Sequence, residues 1–158
     1  MTVKTLKGGL MLKKVSIIAA VLLLFACSVK YTPKMVQHIR GSVFRATDTG
    51  YYTTELVMKP KQPLVGKNKA HLIVHNYEGA DIAGLRIDVT PVLPSGNLVP
   101  DQKPEVKDAG RGLYIIDNIY FPEPGKWELR LKLYGEEMVD TVVLPLPEVK
   151  AMPMKKMK

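Results

Sequence analysis

Three histidines, eight methionines and one cysteine are the side chains of this sequence best suited to bind a metal or react. His71 and His75 lie in Ala70-His71-Leu72-Ile73-Val74-His75-Asn76, a run that reads as a strand. They share a face with Ile73 between them, and at about 3.3 Å per residue they stand roughly 13 Å apart. That separation forbids joint chelation of one ion, so each would need ligands from a neighbouring strand. Surface or hydrogen-bonded histidines are the simpler reading. The C-terminal run Ala151-Met152-Pro153-Met154-Lys155-Lys156-Met157-Lys158 offers three thioethers within six residues. Thioether sulfur is soft and suits Cu(I), so Met152, Met154 and Met157 could close a trigonal site, with His38 and Met35 as further donors. Against this, Lys150, Lys155, Lys156 and Lys158 repel a cation, and a basic tail lying on anionic lipid competes with the copper reading. Copper is the one cofactor these residues bring into view, with Met152, Met154, Met157, His71 and His75 as its candidate ligands.

Nothing in the sequence points to catalysis. It contains no G-x-S-x-G, no H-E-x-x-H and no phosphate-binding loop. Glu136-Glu137 and Asp140 could attract a divalent cation, but a solvated face explains them more simply. A single Cys excludes an internal disulfide framework and any Cys-based zinc or iron–sulfur cluster within one chain.

The chain has 158 residues, 46% hydrophobic and 24% charged, enough for one folded domain with short extensions. Its net charge of +8 is unevenly spread. Residues 1–46 carry eight Lys/Arg and no acid, and the last ten residues carry four Lys and no acid. Between Thr47 and Glu148, eleven Lys/Arg face fifteen Asp/Glu. A nucleic-acid binder needs its positive charge on the folded body, so no nucleic-acid partner is expected. Basic ends fit an anionic lipid surface.

Met11-Leu12-Lys13-Lys14 followed by the apolar run Val15 to Ala26 has the charge and length of a secretory signal. The run is shorter than the roughly 20 apolar residues that span a bilayer. The sole Cys closes it, in Leu24-Phe25-Ala26-Cys27. Leu at −3 and a small residue at −1 resemble the bacterial lipoprotein lipobox. That resemblance implies cleavage before Cys27 and acylation of its sulfur and new amine, which is stable anchoring because more than one chain is attached. Ser28, where an inner-membrane retention signal would have Asp, implies the outer membrane if the cell is Gram-negative. The expected location is the cell envelope, facing the periplasm or the exterior, with the lipid bilayer as partner through Cys27 and an envelope protein as a further partner. Met11 is an alternative start.

After Cys27 the chain alternates with period two. Trp127-Glu128-Leu129-Arg130-Leu131-Lys132-Leu133 sends Trp127, Leu129, Leu131 and Leu133 to one side and charges to the other, as in a half-buried antiparallel strand. Further strands are predicted at Leu85 to Thr90, Tyr51 to Met58, Ala70 to Asn76, Gly112 to Tyr120 and Glu137 to Leu144. Turn residues separate them at Asp48-Thr49-Gly50, Pro60 to Pro63, Glu78-Gly79, Pro94 to Asn97 and Pro122 to Gly125. The expected fold is all-β, an immunoglobulin-like antiparallel β-sandwich of about seven strands preceded by a signal helix. Trp127, Tyr114, Leu129 and Leu131 are its predicted core. The expected organisation is a lipoprotein signal peptide at 1–26, a lipidated tether at 27–41, a sandwich at 42–147 and a basic Met-rich tail at 148–158.

Pro63-Leu64-Val65-Gly66-Lys67-Asn68, the strand His71 to Asn76, and Gly84 leading into Leu85 to Val89 resemble the YtkA-like domain. Gly112-Leu113-Tyr114, Phe121 and Pro124-Gly125-Lys126-Trp127-Glu128-Leu129 look like its closing G-x-Y … F … G-x-W-x-L pattern, which FixH proteins share. The resemblance covers about Gly50 to Leu146. It implies an immunoglobulin-like fold outside a membrane and an accessory or binding role in copper or respiratory-complex handling, without catalysis. A structural or protein-interaction lipoprotein without metal is the alternative. Copper-linked relatives tend to carry Met and His in the loop after the central strand. Here Val92 to Pro100 has neither, so those ligands do not transfer.

Overall fold

The computed structural model describes residues 30–96 and 98–153. Eight strands follow in order: β1 (Val43–Ala46), β2 (Tyr52–Lys59), β3 (Gly66–Asn76), β4 (Arg86–Val92), β5 (Glu105–Asp108), β6 (Leu113–Phe121), β7 (Glu128–Tyr134) and β8 (Val139–Pro145). They build a five-stranded sheet ordered β1-β2-β3-β6-β5 and a three-stranded sheet ordered β4-β7-β8, with every pair antiparallel. The two sheets face each other, making the all-β sandwich that the alternation predicts.

Register explains the core. Directly opposed residues share a sheet face, so Val43, Leu56, Leu72 and Tyr114 form one inward row across β1, β2, β3 and β6. Val89, Leu131 and Val142 form the facing row across β4, β7 and β8. Trp127, Leu129, Leu131 and Leu133 are all buried, while Arg130 and Lys132 are exposed. Trp127 lies one residue before β7. Its ring packs on Phe121, with centroids 5.2 Å apart, and its indole N–H donates to Glu123 O at 3.0 Å. Tyr114 is fully buried, and its hydroxyl bridges the β3–β4 connection. It donates to Ile82 O at 2.9 Å and accepts Leu85 N–H at 3.0 Å.

Six of the strands coincide with the predicted runs. β1 and β5 are additional, four residues each on the two edges of the larger sheet. Edge strands that short carry too little alternation to stand out. Pro91 in β4 is tolerated because β4 is itself an edge and need not donate on its outer side.

The folded body also continues past Pro147. Val149 is fully buried in the core, Gly125 and Val149 exchange backbone bonds, and Lys150 N–H donates to Pro63 O at 3.0 Å. One more apolar side chain in the core draws the first residues of the expected tail onto the sandwich. The signal helix, Cys27, Met154 and Met157 lie outside the described residues.

Trp127→Ala should cost about 3–5 kcal/mol, because the surroundings of so large a buried ring cannot close the cavity. Urea melts of the two proteins check this, and the expected outcome is a clear fall in the variant's midpoint.

Candidate metal centre

β2 is buried on both faces from Tyr52 to Met58. Its inner residues meet the core. Its outer residues Thr53, Glu55 and Val57 would meet water, were it not for the irregular segment that precedes β1. That segment crosses the outer face of the larger sheet. It is pinned first at Tyr31, whose N–H donates to Thr49 O at 2.7 Å and whose ring packs against both Tyr51 and Tyr77 at 4.9 and 5.0 Å. Lys34 N–H then donates to Tyr77 O at 2.7 Å. Val36 passes so close to Gly79 that a Cβ there would sit 2.7 Å from the valine methyl, so only glycine leaves room for the crossing. The expected tether is therefore fastened to the sandwich from Tyr31 onward, at Tyr31, Lys34 and Val36.

The segment ends on Glu55, a carboxylate with no exposed surface. A buried carboxylate survives only with hydrogen-bond or cationic partners, and Glu55 has both. Oε1 accepts His38 N–H at 2.7 Å, and Oε2 accepts Ile39 N–H at 2.9 Å, with the Ser42 hydroxyl 3.2 Å away. His38 Nδ1 stands 3.3 Å and His75 Nε2 3.2 Å from Oε1. Burial pushes the Glu55 carboxyl upward. The two backbone amides and the two imidazoles outweigh it and hold the carboxyl below its ordinary value.

His75 is fully buried and sits on the same outer face of β3. Its direct neighbour on β2 is Thr53, and Glu55, opposite Ile73, is its diagonal neighbour. The ring stacks on His38 with centroids 4.8 Å apart and planes 23° from parallel. Its other nitrogen, Nδ1, lies 2.8 Å from Asp81 Oδ1. Asp81 reaches this position because the β3–β4 connection turns back onto β3, where Ile82 N–H donates to Val74 O at 2.9 Å. Gly112 permits that return. Its φ is +72°, and a Cβ there would lie 2.8 Å from Val74 O and 3.0 Å from Asp81 Cβ.

One ring nitrogen each of His38 and His75 and a Glu55 oxygen thus lie within 4.8 Å of one another, the one such group of three His, Cys, Asp or Glu donors among the described residues. Among the described residues, the predicted ligands His71, His75 and Met152 are not brought together. His71 is half-buried opposite Val57 and Ile115 and lies outside the group. Met152 is exposed, with its methyl 3.2 Å from where a Gly66 Cβ would stand. Gly66 and His75 are nine residues apart on β3, roughly 30 Å, so Met152 and His75 cannot share an ion. Asp140 is buried and bonded to Thr49 N–H at 3.3 Å and the Thr49 hydroxyl at 2.5 Å, a structural role. Sequence reasoning named His38 and His75 but missed Glu55. The available signal was one acid inside the otherwise uncharged run Tyr51 to Met58.

Because the folded-state carboxyl of Glu55 lies below its unfolded value, its contribution is fully present above about pH 4.3 and lost as pH falls through the folded value. Glu55→Gln should lower stability at pH 7 by on the order of 3 kcal/mol. Urea midpoints of the two proteins between pH 7 and pH 3 should converge toward the acid end.

No curated protein and no solved structure matches this chain. A family model for the YtkA-like domain matches residues 48–132, from the β1–β2 turn into β7. Glu55, His75 and Asp81 lie inside that span, and His38 lies before it. With more than half of its length matched and the sandwich in place, the chain belongs to the YtkA-like family.

Proposed function

We propose that this protein is a lipid-anchored envelope lipoprotein whose YtkA-like sandwich serves as a non-enzymatic binding module in metal or respiratory-complex handling. The anchoring is supported by the lipobox-like Leu24-Phe25-Ala26-Cys27, and the clamp on Tyr31, through its N–H bond to Thr49 O at 2.7 Å and its contacts with Tyr51 and Tyr77, bears on which end of the sandwich the anchor would hold. Cys27 precedes Tyr31 by four residues, and four residues reach at most about 14 Å. Acylation of Cys27 would hold the Tyr31–Tyr51–Tyr77 end of the sandwich at the bilayer surface. Tyrosines suit that depth, with an apolar ring and a polar hydroxyl, and Lys30 and Lys34 beside them suit anionic headgroups. The metal-handling part of the reading is supported by the histidines gathered around Glu55.

A second reading, a structural module without metal, draws on the outward face of β8, where Val139 and Val143 are about half exposed. It would meet a protein partner there. Metal content after purification separates the two readings.

Labelled palmitate should enter the wild-type protein and not Cys27→Ala. The variant should move from the membrane fraction to the soluble fraction. An unlabelled wild-type protein in the soluble fraction would overturn the anchoring.

A further inference from the structure

We infer that His38, His75 and Glu55 form a binding site for one borderline divalent cation, Zn(II) or Cu(II), with Asp81 as the residue that orients His75. The inference deepens the metal-handling reading and does not depend on the lipid anchor.

The distances support an ion. A tetrahedral metal with ligand bonds of about 2.0–2.1 Å sets its donor atoms about 3.3 Å apart. Glu55 Oε1 already lies 3.3 Å from His38 Nδ1 and 3.2 Å from His75 Nε2. The two ring nitrogens, no more than 4.8 Å apart, must close by at most about 1.5 Å. His38 can supply that movement, since its side chain is 47% exposed and it stands on an irregular segment.

The surroundings fit as well. His75 gives its Nδ1–H to Asp81 Oδ1, 2.8 Å away, which fixes the ring and turns Nε2 toward Glu55. Nε2 then faces a carboxylate oxygen at 3.2 Å across a dry interior, a contact that a positive centre between them satisfies, whether a proton on the ring or a metal ion in its place. A ligating imidazole backed by a carboxylate is how proteins orient histidine on a metal. Glu55 is held in turn by the His38 and Ile39 amides at 2.7 and 2.9 Å, which fixes where its oxygens point. Beside His75 on β2, the buried Thr53 hydroxyl has no hydrogen-bond partner among the described residues, a polar group that a metal-bound water could satisfy.

The donor set selects the ion. Two imidazoles and a carboxylate suit Zn(II) and Cu(II), whereas Cu(I) prefers sulfur. Three protein ligands leave one position open for water. Because His38 precedes β1 while Glu55 and His75 stand on β2 and β3, a bound ion would also staple the N-terminal segment to the sheet.

The test uses the full-length protein in detergent, stripped with a chelator and titrated with Co(II), which Zn(II) then displaces. The expected result is one equivalent with the ligand-field bands of tetrahedral cobalt, and Zn(II) binding in the micromolar range or tighter. His38→Ala, whose half-exposed side chain can be lost without emptying the core and whose backbone amide still reaches Glu55, should stay folded by circular dichroism and bind Zn(II) at least about 100-fold more weakly. Asp81→Asn should weaken binding by about 10–100-fold. Deleting residues 152–158 should change nothing, and neither should His71→Ala. Wild-type affinity in His38→Ala, or six-coordinate cobalt spectra, would overturn the site. Loss of binding on removing the tail, or Cu(I) binding without Zn(II), would also overturn it while leaving metal handling itself standing.

Discussion

The structure turns on one buried negative charge. Glu55 lies mid-strand on the outer face of the five-stranded sheet, where a bare sandwich would leave it in water. Instead it is sealed beneath the chain that precedes β1. Desolvating a carboxylate costs several kcal/mol, so it stays ionised only because two amide N–H groups and two imidazoles converge on it. Three of those four groups belong to His38 and Ile39. The acid therefore does for the N-terminal segment what apolar packing does for the core. It gives eleven irregular residues, Tyr31 to Gly41, a fixed place to end.

That arrangement divides the molecule in two. The sandwich from the β1–β2 turn to β7 is the part shared with the YtkA-like family. The strap before it lies outside the matched span and supplies His38. Glycines at the contact points make the assembly possible. Gly79 leaves room for Val36, and Gly112 lets Asp81 come back against His75. The loop from Val92 to Pro100 is far from this cluster. Leu93 packs at Gly125, beside Val149 and the Lys150–Leu64 bridge, at the opposite end of β3 from His75. The His38–Glu55–His75 group instead lies beneath the strap.

Much of the fold was legible because alternation is a direct consequence of strand geometry. Trp127 to Leu133 and Leu85 to Thr90 read correctly for that reason. β1 and β5 escaped because four edge residues carry two inward positions at most. The site was less legible. His75 was visible as a residue, and the distance argument sent it to a neighbouring strand for partners, but not to Glu55 on β2 by name, nor to a segment 37 residues earlier in the chain. The segment holds Pro33 and no clean periodicity, and so reads as a tether. Its order comes from contacts that no local pattern encodes: the Tyr31 clamp and the Glu55 carboxylate.

Hydrogen exchange at the His38 and Ile39 amides tests most directly whether Glu55 fastens the strap. Both should exchange slowly in the wild-type protein. In Glu55→Gln both should exchange at rates near those of an open chain, while the β3–β6 amides stay protected. Equal protection of His38 and Ile39 in the two proteins would contradict the account.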